Sequence, residues 1–347
     1  ALLTGSLRAR EKGEVRDTVA AGQIDIVVGT HALIQEGVQF DRLGLIVVDE
    51  QHRFGVEQRM TLRQRGGAVA VPHMLVMTAT PIPRTLALTI YGDLDISVID
   101  EMPPNRQQVI THLLEPRERE RAYRFVRSQV EKGRQAFVIC PLVEESDHLE
   151  AKSATEEFGR LQEEVFPDLR IALLHGRMRS DEKDSTMAAF RNREFDVLVA
   201  TAVVEVGIDI PNATVMIIEG ANRFGLAQLH QFRGRVGRGS AQSYCLLISD
   251  SPAREALERL RIVESTHDGF ALAENDLRLR GPGEFFGTRQ SGLPDLRVAT
   301  LSDTRILEDA RRVASEVLAS DPGLDQPAHG LLRQRVDAFW SEETEPN

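Results

Sequence analysis

An α/β protein built on parallel sheets is what the sequence predicts, and three observations predict it. Eight short apolar runs stand along the 347 residues, continuous rather than alternating, as in strands covered on both faces. Most neighbouring runs are separated by enough chain for a helix, the spacing of β-α-β units. At ~150 residues per domain the length suits two domains or three.

Taken in order, Ala1-Leu2-Leu3 reads as the end of a buried strand, and no initiator methionine precedes it. The chain is therefore expected to be a piece of a longer protein. A charged helix is predicted over Arg8 to Ala20, then strands at Ile24–Val28, Leu45–Val48 and Met74–Met77. Met102-Pro103-Pro104-Asn105 reads as a linker. Strands follow at Ala136–Cys140, Ile171–Leu174, Val197–Ala200, Val215–Ile218 and Tyr244–Ile248. Past Asp250-Ser251-Pro252 the periodicity of Leu257, Leu260, Ile262 and Val263 is helical, and a glycine-rich stretch runs from Gly281 to Gly292. The expected domains are 1–104, 105–250 and 251–347. The last seven residues are polar and expected to fray. No internal repeat of 20–50 residues is expected.

Composition excludes several classes. Hydrophobic residues at 41% and charged residues at 27% exclude a mostly disordered chain. A net charge of -11 excludes a protein held to nucleic acid by bulk charge, so such contact needs a local basic patch. No apolar run approaches the ~20 residues of a membrane span, and no signal peptide opens the chain. Two cysteines, Cys140 and Cys245, make no disulfide framework and suit core thiols in a reduced cytoplasm. His73, His112 and His148 lack metal-site spacing.

Four motifs carry chemistry. Leu45-Ile-Val-Val-Asp49-Glu50-Gln51-His52 puts two acids at a strand end, where α/β sheets bind ligands. Asp49 there suits a hydrated Mg²⁺, and Glu50 an attacking water; the plainer reading is a helix cap. Thr78-Ala79-Thr80 follows another apolar run, with hydroxyls able to relay hydrogen bonds or simply to cap a turn. Thr201 to Asp209 begins where Val197–Ala200 ends; Thr201 could touch a phosphate, and Asp209 a ribose or the arginine loop. In Gln231-Phe-Arg233-Gly234-Arg235-Val-Gly237-Arg238-Gly239, arginines alternate with glycines. The glycines admit close approach, and the guanidinium forks suit phosphate oxygens.

In this order the four resemble superfamily 2 helicases and translocases: Asp49 to His52 motif II, Thr78 to Thr80 motif III, Thr201 to Asp209 motif V, and Gln231 to Arg238 motif VI. Gly29-Thr30-His31 resembles motif Ib, and His175-Gly176-Arg177-Met178 the strand-end His-Gly of the second motor domain. Asp49-Glu50-Gln51-His52-Arg53-Phe54-Gly55-Val56 is similar to motif II of the RecG family of fork-reversal translocases. Asp276 to Gly292, with Gly-Thr-Arg-Gln at 287–290, resembles that family's coupling motif. The resemblance implies RecA-like motor domains, the first incomplete, then a helical hairpin and coupling loop. It implies an ATP- and Mg²⁺-dependent motor on branched double-stranded DNA, acting in recombination and repair, cytoplasmic and associated with the nucleoid. A monomer in full length and a single-strand DNA-binding protein as partner are also implied.

Site residues carried over are Asp49, Glu50, Gln51, His52, Arg235 and Arg238 for catalysis, with Mg²⁺ held through water by Asp49. Gly207, Asp209 and Gln231 join Asp49, Glu50 and the two arginines around ATP. Thr30, His31, Thr78, Thr80, His175, Gly176, Thr201, Arg289 and Gln290 would contact or couple DNA. Arg235 and Arg238 would act as arginine fingers from the second motor domain. The family's P-loop, G-x-x-x-x-G-K-[ST], is not in the sequence, because none of its four lysines follows a glycine. The chain alone is therefore expected to bind ATP weakly and hydrolyse none. The alternatives are a translocase like the transcription-repair coupling factor, a non-catalytic DNA-binding module, and a DEAD-box-like RNA unwinder.

Overall fold

The computed structural model describes residues 1–5, 7–34, 37–50, 71–79, 95–99, 101–103, 106–141, 147–205, 209–280 and 304–342. Two compact units divide the chain, Ala1–Thr80 and Pro81–Asn347.

The first unit holds β1 (Leu2–Leu3), α1 (Ala9–Ala20), β2 (Val28–Gly29), β3 (Leu45–Val48) and β4 (His73–Val76). β1 pairs with β2 and β3 with β4, both parallel. Leu3, Ala32 and Val38 form one small core, Ile46 and Val48 another. The strand expected over Ile24–Val28 is corrected to Val28–Gly29, because its partner β1 offers only Leu2 and Leu3 for pairing.

The second unit opens with β5 (Ile110–Leu114), α2 (Arg119–Glu131), β6 (Gln135–Ile139), α3 (Asp147–Arg160), β7 (Ile171–Leu174) and α4 (Ser180–Arg191). It continues with β8 (Val197–Ala200), β9 (Ala213–Ile218), α5 (Leu226–Arg233) and β10 (Tyr244–Ile248). The six strands form one sheet in the order β5-β10-β9-β6-β8-β7, every pairing parallel. Apolar side chains cover both faces, around Phe137, Phe190 and Phe232 on one and Tyr123, Leu161 and Phe166 on the other, hence the continuous apolar runs. Among the described residues four helices follow: α6 (Arg254–Ser265), α7 (Gly269–Arg280), α8 (Thr304–Ser320) and α9 (Gly330–Glu342). β5 was not expected, because Thr111 and His112 interrupt its apolar run and it lies at a sheet edge. The cysteine thiols are buried, and desolvation pushes that of Cys245 up to about 12.

The sheet's carboxyl end is polar. The buried carboxylate of Glu219, just past β9, accepts from the Tyr123 hydroxyl at 2.7 Å and from Arg119 Nε at 3.1 Å. Burial and that carboxylate hold the Tyr123 hydroxyl protonated far above its usual range. Among the described residues no His/Cys/Asp/Glu group could hold a metal ion by itself, and no helix is long and apolar enough to cross a membrane.

One segment is duplicated at long range, far outside the 20–50-residue periods of repeat arrays. Residues 2–30 and 173–201 share strand register, helix bounds and turns at a constant displacement of 171 residues. Leu3 aligns with Gly29 as Leu174 does with Ala200. α1 and α4 each have 12 residues, and both helices run into a left-handed residue, Gly22 at φ 68° and Arg193 at φ 62°. Only nine of the 29 positions are identical, and others change character outright, as Arg16 to Met187 and Asp17 to Ala188, which hides the duplication from a reading by residue.

Candidate nucleotide and nucleic-acid site

The acidic pair stands at the carboxyl end of β3. Strands β3 and β4 pair in register up to Val48 and Val76, and the Met77 amide donates to the Val48 carbonyl at 2.8 Å. Asp49-Glu50 therefore lies beside Met77-Thr78. Glu50 has φ 51°, a left-handed conformation that costs a residue with a Cβ roughly 1–2 kcal/mol. Its amide accepts support from the neighbouring side chain, donating to Asp49 Oδ1 at 2.9 Å. Asp49 is exposed and Glu50 half-buried, so one carboxylate faces water while the other is partly withdrawn from it. That donor set fits Mg²⁺, which keeps most of its waters and takes one or two carboxylates. Thr30 and His31 follow β2, with the Thr30 amide on the Leu3 carbonyl at 3.3 Å.

In the second unit β7 and β8 are neighbours, so His175-Gly176 and Thr201 meet at one corner of the sheet. The Thr201 amide donates to the Leu174 carbonyl at 3.2 Å. Thr201 is buried, and burial together with the charges of Lys183 and Arg177 lowers the His175 pKa, favouring the neutral ring.

The arginine loop leaves the end of α5. Arg235 is buried, its amide on the Phe232 carbonyl at 2.9 Å, whereas Arg238 reaches Asp209 at 3.4 Å and donates from Nε to the Gly234 carbonyl at 3.1 Å. Gln231 lies on α5 itself. Gly237 has φ 75°, and a Cβ there would stand 2.7 Å from Val109 Cγ2. Its carbonyl accepts from Arg106 Nε at 3.1 Å. Gly237→Ala is expected to lose about 2 kcal/mol or more of stability from the left-handed backbone and the clash together. Urea unfolding of the variant checks this; an unchanged midpoint would refute it. Gln51, His52, Thr80, Gly207, Arg289 and Gln290 lie outside the described residues.

Three families match the chain: DEAD/DEAH box helicase over residues 2–89, helicase conserved C-terminal domain over 117–240, and ATP-dependent DNA helicase RecG, domain 3, C-terminal, over 266–344. The ATP-dependent DNA helicase RecG of Synechocystis sp. is 54% identical over 96% of this chain and 40% of its own length. That of Streptococcus pneumoniae is 51% identical over 97% of this chain and 50% of its own. A solved RecG bound to a three-way DNA junction aligns at 48% identity and a TM-score of 0.68, covering 88% of this chain and 39% of that one. The chain belongs to the RecG family. It spans 40% to 50% of the length of those two curated relatives. A DEAD-box helicase bound to single-stranded RNA aligns over 80% of this chain and 60% of its own, at 17% identity and a TM-score of 0.57, a likeness of fold alone.

One structural residue of this RecG-family chain, next to the candidate site, escaped the sequence reading. Arg233 is buried and points away from the loop it belongs to. Its Nη1 donates to the carbonyls of Val263 and Thr266, both at 2.8 Å, at the C-terminal end of α6. A cation there meets the negative end of the helix dipole. Its Nη2 lies 2.9 Å from His230 Nδ1, which must accept, since a guanidinium only donates. Arg233 thus ties the arginine loop to the helices of the RecG-type C-terminal region. The signal was present in the first arginine of the motif, but its residue type matches that of the two arginines after it.

Proposed function

We propose that the protein is an ATP-driven motor that moves on and remodels branched duplex DNA. Residues 1–104 would belong to its first motor domain, 105–250 to its second and 251–347 to the coupling region. The observation that carries this reading is the strained Asp49-Glu50 pair at the end of β3. Backbone strain persists at functional sites when the surroundings hold it there, and a helix cap needs none.

In this reading Asp49 accepts hydrogen bonds from the water shell of Mg²⁺. Glu50 orients the attacking water and takes its proton. Bound Mg²⁺-ATP supplies the γ-phosphoryl group and the charge to be neutralised. Arg235 and Arg238 offer positive charge to that phosphoryl group, and Asp209 holds Arg238 in line. Gln231 and Gly207 complete the nucleotide contacts, with Gln51 and His52 beside the acids. Thr30, His31, Thr78, Thr80, His175, Gly176 and Thr201 contact the DNA backbone or relay its presence, and Arg289 and Gln290 couple hydrolysis to movement. The full-length protein acts as a cytoplasmic, nucleoid-associated monomer, with a single-strand DNA-binding protein as partner.

The test is ATP turnover by the complete gene product, alone, with linear duplex and with a three-way junction. Turnover that rises most with the junction is expected. Turnover indifferent to DNA, or none, would refute the reading. The chain alone should bind the junction and leave ATP intact, because it carries no phosphate-cradling lysine loop.

A further inference from the structure

We propose that Lys12 and Lys183 are a duplicated pair of positioning residues that set the strand-end loops Thr4-Gly5 and His175-Gly176 for nucleic-acid contact, an inference that rests on the DNA reading above.

The two sites agree bond for bond. The Leu7 amide donates to the Thr4 carbonyl at 3.4 Å, and the Met178 amide to His175 at 3.3 Å. Each helix then starts from an arginine in extended backbone, Arg8 at φ -64°, ψ 152° and Arg179 at φ -62°, ψ 154°. The arginine amides donate to Glu11 at 2.8 Å and Glu182 at 2.9 Å, the glutamates three residues on. One position further stand the lysines. Lys12 Nζ donates to the Gly5 carbonyl at 2.8 Å, and Lys183 Nζ makes the same bond to Gly176.

That position ordinarily holds an apolar residue, packed on the one before the cap. Here it holds lysine twice, in a chain with four lysines among 42 bases. A compact ammonium can reach back to one carbonyl, whereas the planar guanidinium fork suits paired acceptors. The glycines add an independent observation. Neither has a positive φ, and a Cβ on either would meet nothing within 4 Å. The fold therefore does not require glycine at these two points. The open space there would admit close approach of another molecule's backbone. Holding the Gly176 carbonyl toward Lys183 also fixes the Arg177 amide on the opposite side of the trans peptide, and backbone amides of this kind set register on phosphates.

The experiment uses the chain with Lys12→Met, Lys183→Met and both. Amide exchange is followed without DNA, and affinity for a fluorescein-labelled three-way junction is followed by anisotropy across a salt series. Active fractions are fixed by stoichiometric titration. Faster exchange is expected at 3–8 for the first variant and 174–179 for the second. Each should weaken binding about fivefold, the worth of one ordinary hydrogen bond, with the salt slope unchanged. A slope reduced by about one would make the lysine a phosphate contact instead. Unchanged exchange would refute the latch, and unchanged affinity would refute its role in binding. Failure of the unmodified chain to bind the junction would refute the DNA reading itself, while exchange would still decide the latch.

Discussion

Arg235→Ala in the complete gene product is expected to cut DNA-stimulated ATP turnover by about 10³-fold, the worth of an arginine finger, and to leave affinity for a three-way junction nearly unchanged. Burial is the reason for separating the two effects. A guanidinium that clamps a DNA backbone works from the surface, through screened attraction. Arg235 is only 9% exposed, and its backbone is fixed to Phe232. A cation withdrawn from water acts strongly on charge that develops beside it and needs little reorganisation. Arg238 differs, since it is exposed and shares its charge with Asp209 at 3.4 Å. Arg238→Ala should therefore cost less turnover than Arg235→Ala. If junction affinity collapsed in the Arg235 variant while hydrolysis survived, the loop would be a backbone clamp.

The strands of the six-stranded sheet were legible because burial on both faces leaves a continuous apolar run, as in Val197–Ala200 with every residue buried. β5 was not, because its Thr111 and His112 obey edge position rather than hydropathy. The acidic pair was legible from residue type and spacing, but the left-handed backbone of Glu50 was not, since glutamate carries no local preference for it. The duplication was hidden for a related reason. Its turns are held by backbone bonds and by Lys12 and Lys183, whereas helix α1 presents Val19 where α4 presents Phe190, both buried. Cores of different volume erase identity while leaving geometry intact. Arg233 was named only as part of an arginine-rich motif, because direction into the core is a property of packing.

Mild acid is expected to loosen the attachment of the arginine loop to the C-terminal helices, and His230 sets the range. Burial, followed by the charge of Arg233, pushes its pKa down from 6.5 to about 4; His267 adds to that shift, and Asp268 opposes it. At neutral pH the ring is neutral and Nδ1 accepts from Arg233. The unfolded chain binds a proton near pH 6.5, whereas the folded one resists until about pH 4. Between those values the unfolded state holds more protons, so stability falls as pH falls. The fall begins near pH 6.5, is complete below about pH 4, and amounts to roughly 3 kcal/mol at 1.36 kcal/mol per unit. Urea unfolding of the chain between pH 6.5 and 5, above most carboxylate titration, should show the slope. His230→Gln keeps an oxygen that can accept from Arg233 and carries no titrating ring, so the slope should become markedly shallower over that interval, with His175 and His267, whose pKa values burial also lowers, supplying what remains. Arg233→Met should remove the bonds to Val263 and Thr266 and destabilise at every pH, because two carbonyls at the end of α6 lose their buried donor. An acid slope that persists unchanged in His230→Gln would show that another group drives it.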